Sequence, residues 1–320
     1  MINWAEVSTL ITGGAGFIGA NIVRRLALSG ARLHLIVRPQ TDLWRLSDVR
    51  DRVTVHKVDL LDGEGLRRMV RTIRPTIIFH LAMPSGHPRT AAERLESLQV
   101  GILATAHLLE AAMEIGAQRF IHFGSSLEYG RYDRPIKEVD HLSPVTDRGM
   151  AKATASMLAE FYARRHGIPV VILRPFSVYG PFENPNRFIP TLLRAAMTGE
   201  EVRLTAPSYR HDFIFVEDVV EASLRAAELQ VQSGEAFNLG TGTQWTNEEV
   251  AALVEQVTGR ALRLQIGARP PNPPDTSCWV ADIEKARRLL GWEPFHDLSS
   301  GLKLTWRWMQ AERIVDDQRA

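Results

Sequence analysis

Residues 9–19 read Thr-Leu-Ile-Thr-Gly-Gly-Ala-Gly-Phe-Ile-Gly, an apolar strand pattern that runs straight into a glycine loop and then into helical periodicity through Ser29. Few local sequences constrain a fold as strongly. Gly13 lets the chain turn sharply out of the strand, Gly16 lets the backbone approach a pyrophosphate, and Gly19 lets the helix lie close on the sheet. The first helical residues, Phe17, Ile18 and Gly19, then carry amides with no partner inside the helix, pointed at the anion. The segment predicts a dinucleotide site at the start of a parallel α/β sheet.

The rest of the chain continues that pattern. Apolar runs at Leu33–Val37, Val53–Val58, Thr76–Leu81, Arg119–Phe123 and Pro169–Leu173 read as buried strands, separated by helical periodicity that includes Glu64–Thr72, Ala92–Ile115 and Arg148–Arg165. Strands alternating with helices predict an α/β fold, a doubly wound parallel sheet. After Arg174 prolines become frequent (Pro175, Pro181, Pro185, Pro190) and a proline-rich loop follows at 269–274, which predicts a change of architecture. A cofactor domain over residues 1–175, to which about 211–240 return, is therefore expected beside an interleaved lobe of 176–210 and 241–315. With 320 residues, 45% of them hydrophobic, the chain can bury a core of that size.

Charge and cysteine content exclude other classes. Lys and Arg number 38 against 37 Asp and Glu, so no bulk field draws the chain to nucleic acid or an anionic membrane. The single cysteine, Cys278, rules out an internal disulfide framework and a cysteine-rich metal site; no metal is expected. The first residues lack a basic leader and no apolar run approaches membrane-spanning length, so a cytoplasmic protein is expected.

Further motifs follow in order: Val58-Asp59-Leu60, Phe79-His80-Leu81-Ala82, Ser125 to Gly130, Lys152, Arg174 to Pro181, Arg210 to Val219 and Phe237 to Gly240. In this order and spacing the chain resembles, nearly end to end, the extended short-chain dehydrogenase/reductase family, above all its nucleotide-sugar epimerases, dehydratases and ketoreductases. The resemblance implies a Rossmann-like cofactor domain, a small C-terminal lobe over the substrate, and often a homodimer packed through two long helices, here 92–115 and 148–165. Cofactor contacts carried over are Gly13, Gly16, Phe17, Ile18, Gly19, Asp59, Leu60, Leu81, Ala82, Lys152 and Pro175. Where such chains usually place an acid for the adenosine ribose, this one has Val37-Arg38-Pro39, and an arginine can pair with a 2′-phosphate, so NADP is favoured and NAD is possible. His80 reads as a core histidine.

The catalytic positions depart from the pattern. The family keeps a tyrosine four residues before the lysine as acid/base, and here Lys152 is preceded by Arg148. The five tyrosines, Tyr129, Tyr132, Tyr162, Tyr179 and Tyr209, are followed four places on by Asp133, Ile136, His166, Glu183 and Phe213, so the tyrosine–lysine spacing occurs nowhere. Arginine stays protonated and cannot act as the base, although it could steady an oxyanion or bind an anionic substrate group. Ser125 matches the serine that bonds the reacting oxygen. Glu128 is one place late for the acid of a dehydratase, and Tyr129 and Asp147 read as structural. Gly101 replaces a usual asparagine, and Ser177 another that touches the sugar diphosphate.

The expected catalytic set is Ser125, Arg148 and Lys152. The expected substrate contacts are Ser126, Ser177, Arg210 and Arg269, with the two arginines placed to grip a diphosphate. Trp245, Trp279 and Phe188 could face a ring or fill the core. The leading expectation is an NAD(P)-dependent epimerase or ketoreductase acting on a secondary alcohol or ketone of a nucleotide diphosphate sugar. Two alternatives stay open: a non-redox enzyme of the same fold (elimination, enolisation or cyclisation) with Arg148 as anion clamp, and a redox-silent cofactor-binding or regulatory protein.

Overall fold

The structure is a computed structural model that describes residues 2–84, 86, 88–206, 209–229, 233–271 and 275–319, with side chains as far as Glu312. Seven parallel strands form the main sheet: β1 (Ser8–Thr12), β2 (Arg32–Val37), β3 (Val53–Lys57), β4 (Ile77–His80), β5 (Arg119–Phe123), β6 (Val170–Pro175) and, later in the chain, Glu235–Leu239. Their spatial order runs from Glu235–Leu239 through β6, β5, β4, β1 and β2 to β3. The order reverses between β1 and β4, so the two strands leave opposite crossovers and a crevice opens above their carboxyl ends.

Alternating side chains on each strand feed the two faces of the sheet core. Ile11, Leu35, Phe79, Ile121 and Leu173 pack with Ile22, Val23 and Leu26 of helix α1 (Phe17–Leu28). Leu10, Ile36, Ile78, Phe120 and Ile172 face the other way, against Leu66 and Val70 of α2 (Gly63–Ile73) and Leu108 and Leu109 further on. Period-two burial on both faces is what a doubly covered sheet requires.

The expected helix 92–115 is three segments in one rod: α3 (Ala91–Leu98), a π-helical turn at Gln99–Leu103, and α4 (Ala104–Ile115). The turn marks a close crossing. A β-carbon on Gly101 would lie 3.1 Å from that of Ala151, so an asparagine there would meet α5 (Asp147–His166), and the glycine is a packing requirement. The rod also corrects the expectation about apolar runs, since by length and composition Ala91–Ile115 suffices to cross a membrane. Its inner face is spent on α2 and α5, and Glu114 ion-pairs Arg67 and Arg71. α5 begins under a Thr146 hydroxyl that accepts from the Gly149 amide at 3.0 Å and stops at Gly167, at φ +70°.

A second core joins the later elements. After β7 (Ser177–Tyr179), Ile189, Leu192 and Leu193 of α6 (Phe188–Thr198) pack with Phe213, Phe215, Val250, Val254, Leu302 and Trp306. Short pairs link distant segments here: Glu201–Arg203 lies beside Arg263–Gln265, and Phe213–Phe215 beside β7. Trp279 is buried against Phe176, and Phe188 and Trp245 are partly buried on the second core. Of the proline-rich loop, residues 272–274 lie outside the described residues.

Candidate active site

The glycine loop is built as its spacing requires. Gly13 has φ +73°, and a β-carbon there would lie 2.7 Å from the Ala82 amide nitrogen and 2.8 Å from the Leu81 carbonyl carbon. The turn leaving β1 is thus pressed against the segment leaving β4, at the switch point itself. A β-carbon on Gly19 would sit 2.3 Å from the Gly13 carbonyl oxygen, so α1 starts directly on the loop. No side chain caps that helix. Uncapped amides at Phe17 and Ile18, above a crevice with no acid at the helix mouth, fit the pyrophosphate of a dinucleotide.

The flanks of the crevice carry the other expected cofactor residues. Leu81 and Ala82 are half-buried on its floor, and Pro175 closes β6. Asp59 is exposed, and its Oδ1 accepts from the Leu61 amide at 2.9 Å, a turn-forming bond; Leu60 beside it is buried. Arg38 follows β2 directly and its NH1 lies 3.1 Å from Glu96 Oε1 on α3. Arg38 thus has an acidic partner, supplied by a helix far along the chain.

At the carboxyl end of β5, a buried carboxylate holds the candidate serine. Glu128 is fully buried; its Oε1 accepts from the Ser125 amide at 2.8 Å and the Ser156 hydroxyl at 2.9 Å, and its Oε2 from Arg174 Nε at 2.8 Å. Burial pushes this carboxyl upward, and the Arg174 guanidinium opposes it. Arg174 also donates to the Tyr129 hydroxyl (2.9 Å), which donates to Asn238 Oδ1 (2.7 Å). Glu128 and Tyr129 are thus positioning groups behind the site. The Ser125 hydroxyl accepts from the Leu127 amide at 3.2 Å, and Ser126 is buried beside it.

Arg148 and Lys152 stand one turn apart on α5. Lys152 is buried and donates to the Phe123 carbonyl, two residues from Ser125. Burial, reinforced by the Arg148 charge, lowers its amine to about 7. Arg148 donates through NH1 to the Pro84 carbonyl and to that of Gly86 (3.3 Å), which ties α5 to the loop running on from Leu81 and Ala82. Desolvation lowers its pKa, and repulsion from Arg187 adds to that.

Asp147 occupies the first turn of α5, as a helix-start acid should. His80 is a satisfied core histidine, between the Thr12 hydroxyl at 2.6 Å and the Thr105 hydroxyl at 2.9 Å, and burial holds it near 3. Its neighbour His122 is buried with neither ring nitrogen partnered among the described residues.

The expected substrate residues are more scattered. Ser177 starts β7 and its amide donates to the Asp212 carbonyl at 3.0 Å. Arg210 lies 3.8 Å from Glu249, whereas Arg269 is exposed and held through its backbone by Leu204. The two have separate partners. The loop after β7 contributes groups that the sequence reading missed. Glu183, with its side chain 7% exposed, lies 3.7 Å from Arg187, and burial pushes its carboxyl to about 8. Arg187 occupies the N-cap position of α6 without a side-chain capping bond. Proline- and asparagine-rich loops show no periodicity, so only the fold could bring these residues toward Arg148.

Comparison with known proteins places this geometry. The model of the NAD dependent epimerase/dehydratase family matches residues 9–240. A dTDP-glucose 4,6-dehydratase of Neisseria meningitidis is 29% identical, over 93% of this chain and 92% of its own length. Among solved structures, UDP-glucose 4-epimerase of Thermotoga maritima with UDP-glucose superposes with a TM-score of 0.88 at 29% identity, covering 95% of this chain and 99% of that one. UDP-glucose 4-epimerase of Thermus thermophilus in complex with NAD gives 0.84 at 28%, covering 94% and 98%.

Proposed function

The chain belongs to the NAD dependent epimerase/dehydratase family, a family of enzymes, and from that premise we propose that it is a cytoplasmic nucleotide-sugar epimerase or ketoreductase acting at a secondary alcohol or ketone. One observation carries the reading: Lys152 donates to the Phe123 carbonyl, two residues before Ser125, at the end of β5, and the neighbouring β4 leads into the Leu81–Ala82 segment pressed against Gly13. A bound nicotinamide dinucleotide supplies the hydride acceptor and donor. The uncapped α1 amides would hold its pyrophosphate, and Lys152 its nicotinamide ribose. Ser125, fixed through its amide by Glu128, hydrogen-bonds the reacting oxygen. With no tyrosine in place, the Lys152 amine moves the proton, since an amine near 7 is present in both forms at neutral pH.

For the cofactor we propose NADP, with Arg38 pairing the 2′-phosphate and Glu96 holding the guanidinium ready. Arg38→Ala is expected to reduce the preference for NADP by roughly 1 to 2 kcal/mol, the scale of a charge-assisted contact. Binding titrations with all four nicotinamide forms check this. Equal or reversed preference in the unmutated protein sinks the NADP assignment, and no binding of either cofactor sinks the enzymatic reading. Thermal shifts with uridine, thymidine, guanosine and cytidine diphosphate sugars then test the substrate class.

The partner we propose is a second copy of the chain. Leu95 and Leu103 on the α3–α4 rod and Met150, Met157 and Phe161 on α5 expose apolar side chains on neighbouring helices. Light scattering is expected to give the mass of two chains, and Phe161→Glu with Met157→Glu to give that of one. A monomeric wild-type protein rules the dimer out.

A further inference from the structure

Charge does not balance at the reacting end of the crevice. Lys152 is buried, Arg148 stands one turn above it, and Arg187 is close enough to repel Arg148. The acids nearby do not answer that charge. Glu128 is held by Arg174 at 2.8 Å, and Glu183, 3.7 Å from Arg187 with its Oε2 buried and without a hydrogen-bond partner among the described residues, is kept largely protonated by burial. Among the described residues no carboxylate ion-pairs Arg148, whose NH1 is fixed instead by the neutral carbonyls of Pro84 and Gly86. Carbonyl bonds orient a guanidinium without cancelling its charge. A partly desolvated cation of this kind is costly unless an anion completes it.

The cofactor cannot supply that anion. Its pyrophosphate would be held at the uncapped start of α1, and an oxidised nicotinamide would bring positive charge rather than negative. A substrate diphosphate, joined to the anomeric carbon, would lie across the sugar ring from an oxygen held at Ser125. The missing charge therefore belongs to the sugar.

We propose that the substrate is a nucleotide-linked sugar acid, whose ring carboxylate is bound by the Arg148 guanidinium with Arg187 at the rim; this rests on the nucleotide-sugar reading above. Arginine suits the task because its planar fork matches a carboxylate bidentately and it stays charged when desolvated. The tether to Pro84 and Gly86 fixes the plane of that fork before the ligand arrives, so little ordering is spent on binding.

Isothermal titration of the full chain with saturating dinucleotide tests the proposal, using UDP-glucuronate, UDP-glucose, UDP alone, and free glucuronate, and the thymidine counterparts of the nucleotides. The nucleotide-linked uronate is expected to bind more tightly than the glucose form by about tenfold or more, the scale of one charge-assisted contact. Arg148→Gln is expected to erase that ratio while leaving the affinity for UDP or TDP alone unchanged, and Arg148→Lys to keep part of it. Equal affinities for uronate and glucose forms, or a ratio that survives Arg148→Gln, overturn the proposal alone. Tight binding of free glucuronate without the nucleotide overturns it as well, by showing a simple anion site. Failure of every nucleotide and nucleotide sugar to bind overturns the substrate reading on which it rests.

Discussion

Ser125→Ala is expected to lower turnover about a hundredfold or more, within the hundredfold to ten-thousandfold range of a positioned proton-transfer group, while Arg148→Tyr keeps or raises kcat. The serine change removes the hydroxyl proposed to bond the reacting oxygen, and with it a 3.2 Å acceptor of the Leu127 amide, but leaves the backbone amide that Glu128 grips, so a thermal midpoint close to wild type is expected beside the lost turnover. The tyrosine change places a phenol four residues before Lys152 and adds a second acid/base at the family spacing. It also removes the guanidinium proposed to hold the sugar carboxylate, so KM for an acidic sugar rises even where kcat does not fall. Lys152 gives the pH signature. In the oxidative direction its amine must be neutral to accept a proton, so kcat rises as pH passes about 7; in the reductive direction it must be protonated, and kcat falls over the same range. Lys152→Arg cannot titrate there and is expected to lose the inflection. Turnover and cofactor absorbance followed together on one confirmed substrate decide the matter. Product formed by the wild type with no absorbance change even in a single turnover, and abolished in Arg148→Tyr, would rule out redox chemistry and leave Arg148 as the clamp of a non-redox reaction.

Most of the sheet was legible because each strand is buried on both faces and reads as an apolar run bounded by turns. Val53–Lys57 and Arg119–Phe123 fall within a residue of their expected limits. The glycine loop was legible for a steric reason, since Gly13 and Gly19 each stand where a β-carbon would strike backbone. Contacts between distant segments were not legible. Nothing local says that Glu96 meets Arg38, that Arg148 reaches the carbonyls of Pro84 and Gly86, or that Arg187 comes near it. The π-helical turn was hidden as well, because periodicity cannot distinguish one inserted residue in an apolar rod. At Glu128 the sequence suggested an acid displaced from the reacting face, whereas the fold turns it inward to a partner 46 residues away.

That inward turn sets the largest stability effect. Glu128→Ala is expected to destabilise the protein by about 3–5 kcal/mol, the usual result of removing one member of a buried pair and leaving the other charge unmatched. Arg174 would keep only the Tyr129 hydroxyl and a long contact to the Glu138 carbonyl at 3.5 Å, and the Ser125 amide would lose its acceptor. Glu128→Gln should cost less, because its single amide oxygen still accepts from Arg174, although its NH2 then replaces the oxygen that accepted from the Ser125 amide. Glu128→Met with Arg174→Met should cost less than the two single losses added together, since no charge is then stranded. Denaturant midpoints for the wild type, these three variants, and Glu128→Met and Arg174→Met alone check the series. A Glu128→Ala loss below about 1 kcal/mol, the scale of an exposed pair, would mean that the carboxylate is solvated and does not hold Ser125. The expected pattern also separates stability from catalysis: Glu128→Gln remains folded but slackens the Ser125 amide, so its kcat falls further than its midpoint alone would suggest.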